Sequence, residues 1–249
     1  MNLLFVANWK MQRFYWQTIE WFAHHSAELT QLSLTGDLVI CPTFLELVEL
    51  VKMSKTFSLK NIHFGAQNCS IFEYGPYTGE VSARSLSEVG CAFAIIGHSE
   101  RRILFHETSE DVALKVHHLI NVGITPIICV GETREERDTG LRKQRIEQQL
   151  MPVLKVIKKL KKGAFCVAYE PVWSIGTGET PEIGEIQEIF NEIIELGKKF
   201  VSGSNIRVLY GGSVSVDNAK RLKSIDSLGG LLIGSASLNF QDFKKIVSC

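Results

Sequence analysis

Phe165 to Glu182 reads F-C-V-A-Y-E-P-V-W-S-I-G-T-G-E-T-P-E. It opens on a short apolar run, Phe165 to Tyr169, and passes the acid Glu170 and Pro171. A loop bracketed by Gly176 and Gly178 then leads to Thr180-Pro181-Glu182. That triplet has the composition of a helix start: an N-cap, a proline at the first helical position and an acid in the first turn. Beyond it Ile183, Ile186, Phe190 and Ile193 step by three and four, the spacing of one helical face. Strand, loop and helix thus follow one another within a single unit.

The unit recurs along the chain. Comparable apolar runs lie at Leu3 to Ala7, Leu38 to Cys41, Ile62 to Ala66, Ala92 to Ile96, Thr125 to Val130, Arg207 to Tyr210 and Leu231 to Ile233. Between the first two, Tyr15, Ile19, Phe22, Ser26 and Leu29 repeat the helical spacing. Eight units of about 31 residues account for the chain, a length typical of one α/β barrel. Strict alternation calls for parallel strands with right-handed crossovers. The expected fold class is therefore α/β, a closed barrel of eight parallel strands with outer helices. A doubly wound open sheet is the alternative, but no G-x-G-x-x-G follows the first run and no G-x-x-x-x-G-K-[ST] occurs. No linker-like tract interrupts the pattern, so one domain spanning 1–249 is expected.

Composition narrows the partners. The 249 residues are 45% apolar and 22% charged, with 27 basic residues against 27 acidic ones. Zero net charge gives no electrostatic reason to expect nucleic acid or an anionic membrane. Lys158, Lys159, Lys161 and Lys162 cluster at the end of a helical stretch, where cations favour the helix dipole and face water. The six cysteines are scattered and form no C-x-x-C pair, as in a reducing compartment. No histidines have H-E-x-x-H spacing, and the adjacent His117 and His118 point apart on a helix, so no metal is expected. Leu3 to Ala7 turns polar at Asn8, too short a run for a signal peptide or a span; a cytoplasmic protein is expected.

In a closed parallel barrel the chemistry gathers where the strands end at their C-terminal edge. Asn8-Trp9-Lys10 follow the first run, Gly97-His98-Ser99-Glu100-Arg101-Arg102 the fourth, Glu170 the sixth, Gly211-Gly212-Ser213 the seventh and Gly234-Ser235 the eighth. Because Glu170 precedes proline, its backbone is kept out of the helical region and its carboxylate is aimed by local geometry. Gly176 and Gly178 suit a loop whose amides close on an anion.

N-W-K-M from Asn8, G-H-S-E-R-R from Gly97, Y-E-P-V-W-S-I-G-T-G from Tyr169 and Y-G-G-S-V from Tyr210 stand in register at four strand ends. Together they resemble the triosephosphate isomerase family, over essentially the whole chain. The resemblance implies a TIM barrel and an aldose-ketose isomerase. It would interconvert dihydroxyacetone phosphate and D-glyceraldehyde 3-phosphate through an enediolate, without cofactor or metal, in glycolysis, gluconeogenesis and the pentose phosphate pathway. Glu170 then resembles the base that moves the carbon-bound proton. His98 resembles the neutral electrophile, the family itself being the standard illustration of this pairing. Lys10 and Asn8 match the groups that stabilise the enediolate and bind substrate. Gly176, Ser213, Gly234 and Ser235 match its phosphate-binding amides. Glu100 and Arg101 match bracing positions, one near the lysine and one in an internal ion pair. Phe72 to Gly79 resembles the loop that enters a neighbouring subunit beside its Asn8 and Lys10, which implies a homodimer.

Departures from the family pattern stand at Gly229 (an acid is usual), Ser235 (glycine), Glu179 (lysine) and Pro76 (alanine). Two other readings are a barrel that binds sugar phosphates without catalysis, and a different phosphate-handling barrel enzyme. Retention of Glu170, His98 and Lys10 speaks against the first, and G-H-S-E with Y-E-P-V-W against the second.

Overall fold

The computed structural model describes residues 2–57, 59, 61–161, 163–201 and 206–249. Elements alternate as β1 (Leu4–Asn8), α1 (Tyr15–Leu32), β2 (Asp37–Cys41), α2 (Phe44–Thr56), β3 (Ile62–Ala66), α3 (Ala83–Glu88), β4 (Phe93–Ile96), α4 (Ser99–Leu104) and α5 (Ser109–Asn121). They continue as β5 (Thr125–Val130), α6 (Arg134–Asp138), α7 (Arg142–Leu160), β6 (Cys166–Tyr169), α8 (Ile183–Lys198), β7 (Arg207–Tyr210), α9 (Val216–Leu222), β8 (Leu228–Ile233) and α10 (Phe240–Ser248). Each strand pairs in parallel with its neighbours in sequence, and β1 pairs with β8, so the sheet is a closed eight-stranded TIM barrel.

Side chains on a strand alternate between its two faces, and here they divide into two cores. Leu4, Val6, Val39, Cys41, Ile95, Ile127, Cys129, Cys166, Ala168, Leu209 and Leu232 form a cluster made of strand residues alone, which is the barrel interior. Phe5, Val167, Tyr169, Val208 and Tyr210 belong to a second cluster with Phe22, Phe190 and Phe243 from the helices. The helical spacing read from the sequence supplies this outer layer: Phe22 from α1, and Ile186, Phe190 and Ile193 from α8, are buried in it.

The ends of β1, β2, β4 and β6 shift by one residue from the runs read in the sequence, and two other boundaries differ by more. The helix expected to be capped at Thr180 begins at Ile183, with Glu182 as its extended N-cap. The Thr180 hydroxyl is engaged instead by Asn218, whose Nδ2 donates to it at 3.2 Å. The eighth strand starts at Leu228 rather than Leu231, because Gly229 and Gly230, left out of the apolar run, lie in the sheet. Lys158 and Lys159 stand in the last turn of α7, as its dipole favours; Lys162 lies outside the described residues. All six cysteines are unpaired, five buried and Cys249 exposed. No helix among the described residues is long and apolar enough to cross a membrane.

Closure depends on Gly230. A Cβ there would stand 2.0 Å from the Leu4 carbonyl oxygen, inside the β1–β8 seam. The obstacle is backbone, which cannot rotate away. Gly230→Ala is therefore expected to lower the unfolding free energy by about 3 kcal/mol, the upper end of the usual cost of overpacking, read as a shift in the urea midpoint.

Candidate active site

The alternation that fills the barrel also selects what reaches its mouth. In β6, Cys166 and Ala168 face inward, so the next inward position is Glu170; in β1, Leu4 and Val6 face inward and Asn8 follows. Glu170 is 2% exposed, and its amide donates to the Val130 carbonyl at 2.7 Å, extending the β5–β6 ladder. Gly131 makes this approach feasible, since a Cβ there would stand 1.8 Å from the Glu170 carbonyl oxygen. The carboxylate accepts a hydrogen bond from the Ser99 amide at Oε2, 3.2 Å away. Its Oε1 has no hydrogen-bond partner and lies 3.4 Å from His98 Nε2.

His98 caps α4. Its Nδ1 accepts from the Glu100 amide at 3.2 Å, while its carbonyl accepts from Arg101 and Arg102 at 2.8 and 3.1 Å. A nitrogen that accepts carries no hydrogen, so the hydrogen-bond pattern assigns the ring hydrogen to Nε2. The imidazole therefore presents an N–H to the site. The turn is tied down from behind, where the Gly97 amide donates to Glu107 Oε1 at 2.9 Å. Glu107 also receives Arg101 Nε and Lys115 Nζ, each at 2.6 Å. Burial works against its ionisation, but Lys115 and Arg101 outweigh burial and hold its carboxyl below the usual range.

Lys10 sits on left-handed backbone, φ +50°, uncommon for a residue with a Cβ. Surrounding bonds hold it there. Its amide donates to Asn8 Oδ1 at 3.1 Å and its carbonyl accepts from Gln67 Nε2 at 2.9 Å. The ammonium meets Glu100 Oε1 at 2.6 Å.

A cavity of about 180 Å³ occupies the mouth. Its wall includes all eight residues expected from the sequence: Asn8, Lys10, His98, Glu170, Gly176, Ser213, Gly234 and Ser235. Gln12 and Ile175, which the sequence reading did not single out, complete part of it. Ser235 begins a 3-10 turn, Ser235–Ser237, and does not have left-handed backbone, so serine in place of glycine adds no strain there. Gly176 does lie at φ +73°, on the exposed loop between β6 and α8.

The family model for triosephosphate isomerase matches residues 3–249. The chain belongs to the triosephosphate isomerase family. It is 42% identical over 249 residues to the triosephosphate isomerase of Wolbachia sp. subsp. Brugia malayi (strain TRS), covering 99% of this chain and 97% of that protein. It is 38% identical over 247 residues to that of Ehrlichia chaffeensis, covering 99% and 96%. Against that of Aquifex aeolicus it is 39% identical over 251 residues, covering 99% of each.

Two departures from the triosephosphate isomerase pattern have partners here. Glu179, at the far end of the β6–α8 loop, pairs with Arg134 of α6, whose guanidinium also lies 4.7 Å over the Trp173 ring. Arg207 packs across Gly229, where a Cβ would stand 2.5 Å from the arginine Cγ. The near end of the loop is fixed by Glu132, which sequence reading missed. Its Oε1 accepts from Trp173 Nε1 at 2.8 Å and from the Tyr169 hydroxyl at 3.1 Å. No motif marked it, because its partners come from a strand end and a loop some 40 residues later.

Loop Phe72 to Gly79 projects into solvent, with Phe72 and Tyr77 stacked at 3.7 Å and Tyr74 83% exposed. Lys10 also borders a second cavity, of about 250 Å³, which includes the exposed side chains of Met11 and Phe105.

Glu132 offers a pH test. Burial pushes its carboxyl up despite the two donors, and Oε2 has no partner. A raised folded value means that its contribution to stability is complete below the ordinary glutamate range and is lost as pH rises through the folded value. The stability of wild type relative to Glu132→Gln should therefore fall as pH rises across that window, in urea unfolding at constant ionic strength. A difference that does not vary with pH would contradict the assignment.

Proposed function

We propose that this chain is an active triosephosphate isomerase, interconverting dihydroxyacetone phosphate and D-glyceraldehyde 3-phosphate. The observation that carries the reading is the meeting of an unpartnered carboxylate oxygen on Glu170 with the Nε2–H of His98, 3.4 Å apart, beside the ammonium of Lys10. Isomerisation needs a base for a carbon-bound proton, a donor for the carbonyl and a cation for developing negative charge. These three groups meet those needs within one cavity.

Glu170 takes the proton from C1 of dihydroxyacetone phosphate while His98 Nε2–H hydrogen-bonds the C2 oxygen. The electrons of the broken C–H bond form the enediolate, whose charge Lys10 and the Asn8 amide stabilise. Glu170 returns the proton to C2, and the hydrogen of the C1 hydroxyl passes to the C2 oxygen. The product is the aldehyde, with no net gain or loss of atoms. The amides of Gly176, Ser213, Gly234 and Ser235 hold the phosphate, with Gly176 arriving on the loop that closes over it. Closure excludes water from the enediolate, which otherwise loses phosphate. The whole of 1–249 serves as a single catalytic domain, without cofactor or metal, and no nucleic acid or membrane takes part.

We infer a homodimer in which the loop Phe72 to Gly79 of one copy fills the second cavity beside Asn8 and Lys10 of the other. The exposed aromatic loop and the apolar rim of that cavity support it. The reducing pattern of the cysteines supports a cytoplasmic place in glycolysis, gluconeogenesis and the pentose phosphate pathway. The reading against which the function is tested is a barrel that binds sugar phosphates without turnover.

Incubation with dihydroxyacetone phosphate in heavy water, followed by NMR, should show deuterium at carbon and appearance of glyceraldehyde 3-phosphate. Binding without exchange would leave the non-catalytic reading standing. Glu170→Gln should lower kcat by ~10²- to 10⁴-fold while leaving affinity for glycerol 3-phosphate nearly intact. Thr78→Arg should give monomers of low activity by analytical ultracentrifugation and assay; a fully active monomer would refute the inferred dimer.

A further inference from the structure

Ser174 is the last residue of the 3-10 turn Val172–Ser174 at the start of the β6–α8 loop, and it is completely buried. Its hydroxyl donates to the Glu179 carbonyl at 2.6 Å, at the opposite end of the same loop. It also accepts the Ser213 amide at 3.2 Å, with the Tyr210 hydroxyl 3.4 Å away. The carbonyl of Ser213 is held as well: Asn218 Nδ2 donates to it at 2.9 Å and to Thr180 Oγ1 at 3.2 Å. Ser213 is thus held on both sides, through its amide by Ser174 and through its carbonyl by Asn218, which also binds Thr180.

An amide has one hydrogen to give. If the Ser213 amide holds phosphate, as proposed above and as this inference requires, the phosphate must displace the Ser174 hydroxyl. We propose that Ser174 is a positioning residue that competes with the substrate phosphate for the Ser213 amide and couples phosphate arrival to release of the loop. Displacing it removes the bond that orients the Ser174 hydroxyl toward Glu179, so an event at the phosphate reaches the far end of the loop. The hydroxyl touches no reacting atom; it acts through Ser213 and the loop ends.

Ser174→Ala nearly keeps the packing volume and deletes the competitor for the Ser213 amide together with the bond to the Glu179 carbonyl. It should lower the Kd for inorganic phosphate and for glycerol 3-phosphate by about twofold to tenfold, the range for one hydrogen bond exchanged in this way. The KM for dihydroxyacetone phosphate should fall with it. In ¹⁵N–¹H spectra the Ser213 amide of the variant without added anion should move away from its wild-type position. A hydroxyl with a purely structural role would lower Tm and leave phosphate affinity unchanged or weaker, and that result would overturn the proposal. If the Ser213 amide of the wild type does not respond to phosphate at all, the phosphate assignment itself falls, and this inference with it. If it responds but Ser174→Ala binds no more tightly, the assignment stands and only the competition is lost.

Discussion

The seam between β1 and β8 is the contact on which the rest depends. With a glycine at 230 the two backbones lie side by side from Leu4 to Ala7, and an eight-stranded sheet has no free edge. Closure fixes an inside and an outside for every strand. It thereby turns the period of two into a chemical rule: the first inward position past the packed interior faces the mouth. Asn8 and Glu170 occupy such positions because Leu4, Val6, Cys166 and Ala168 fill the ones before them. The acid and the amide are placed by backbone arithmetic, with little demand on loop conformation.

Much of this was legible in the sequence. Runs such as Thr125 to Val130 and Ile62 to Ala66 coincide with their strands, since apolar β-rich stretches bounded by turn residues have few other options. The wall of the site was legible too, because each motif sits directly after a strand and topology brings all strand ends to one rim. What escaped was long-range hydrogen bonding. Thr180 has the composition of an N-cap, yet its hydroxyl is taken by Asn218. Gly229 and Gly230 fall outside the apolar run but serve as strand residues where another backbone passes close by. Glu132, Gln67 and Ser174 carry no local signature, because their partners are distant in the chain.

The electrostatics of the site follow a consistent division. Each polar group that faces the cavity is engaged by a partner at one of its atoms. Glu170 rests one oxygen on the Ser99 amide, Lys10 meets Glu100, and His98 spends Nδ1 on the Glu100 amide. The other oxygen of Glu170 has no hydrogen-bond partner and lies 3.4 Å from His98 Nε2, in the wall of the cavity. Behind them Glu107, paired with the buried Lys115 and the half-buried Arg101, keeps the Gly97 turn in place. Partial pairing of this kind avoids the full desolvation penalty of a buried charge while leaving one valence of each group unsatisfied.

Lys10 shows what such an arrangement asks of a sequence. Its left-handed backbone is the conformation glycine would adopt without strain, but glycine has no ammonium to offer. The strain is therefore inherited with the charge, and it is distributed to Asn8 and Gln67, which hold the peptide on either side. Under the proposed role of Lys10, selection for turnover and selection for a relaxed backbone act on the same residue in opposite directions. Drift at Asn8 or Gln67 is thereby restricted by a neighbour's conformation as much as by any role of their own.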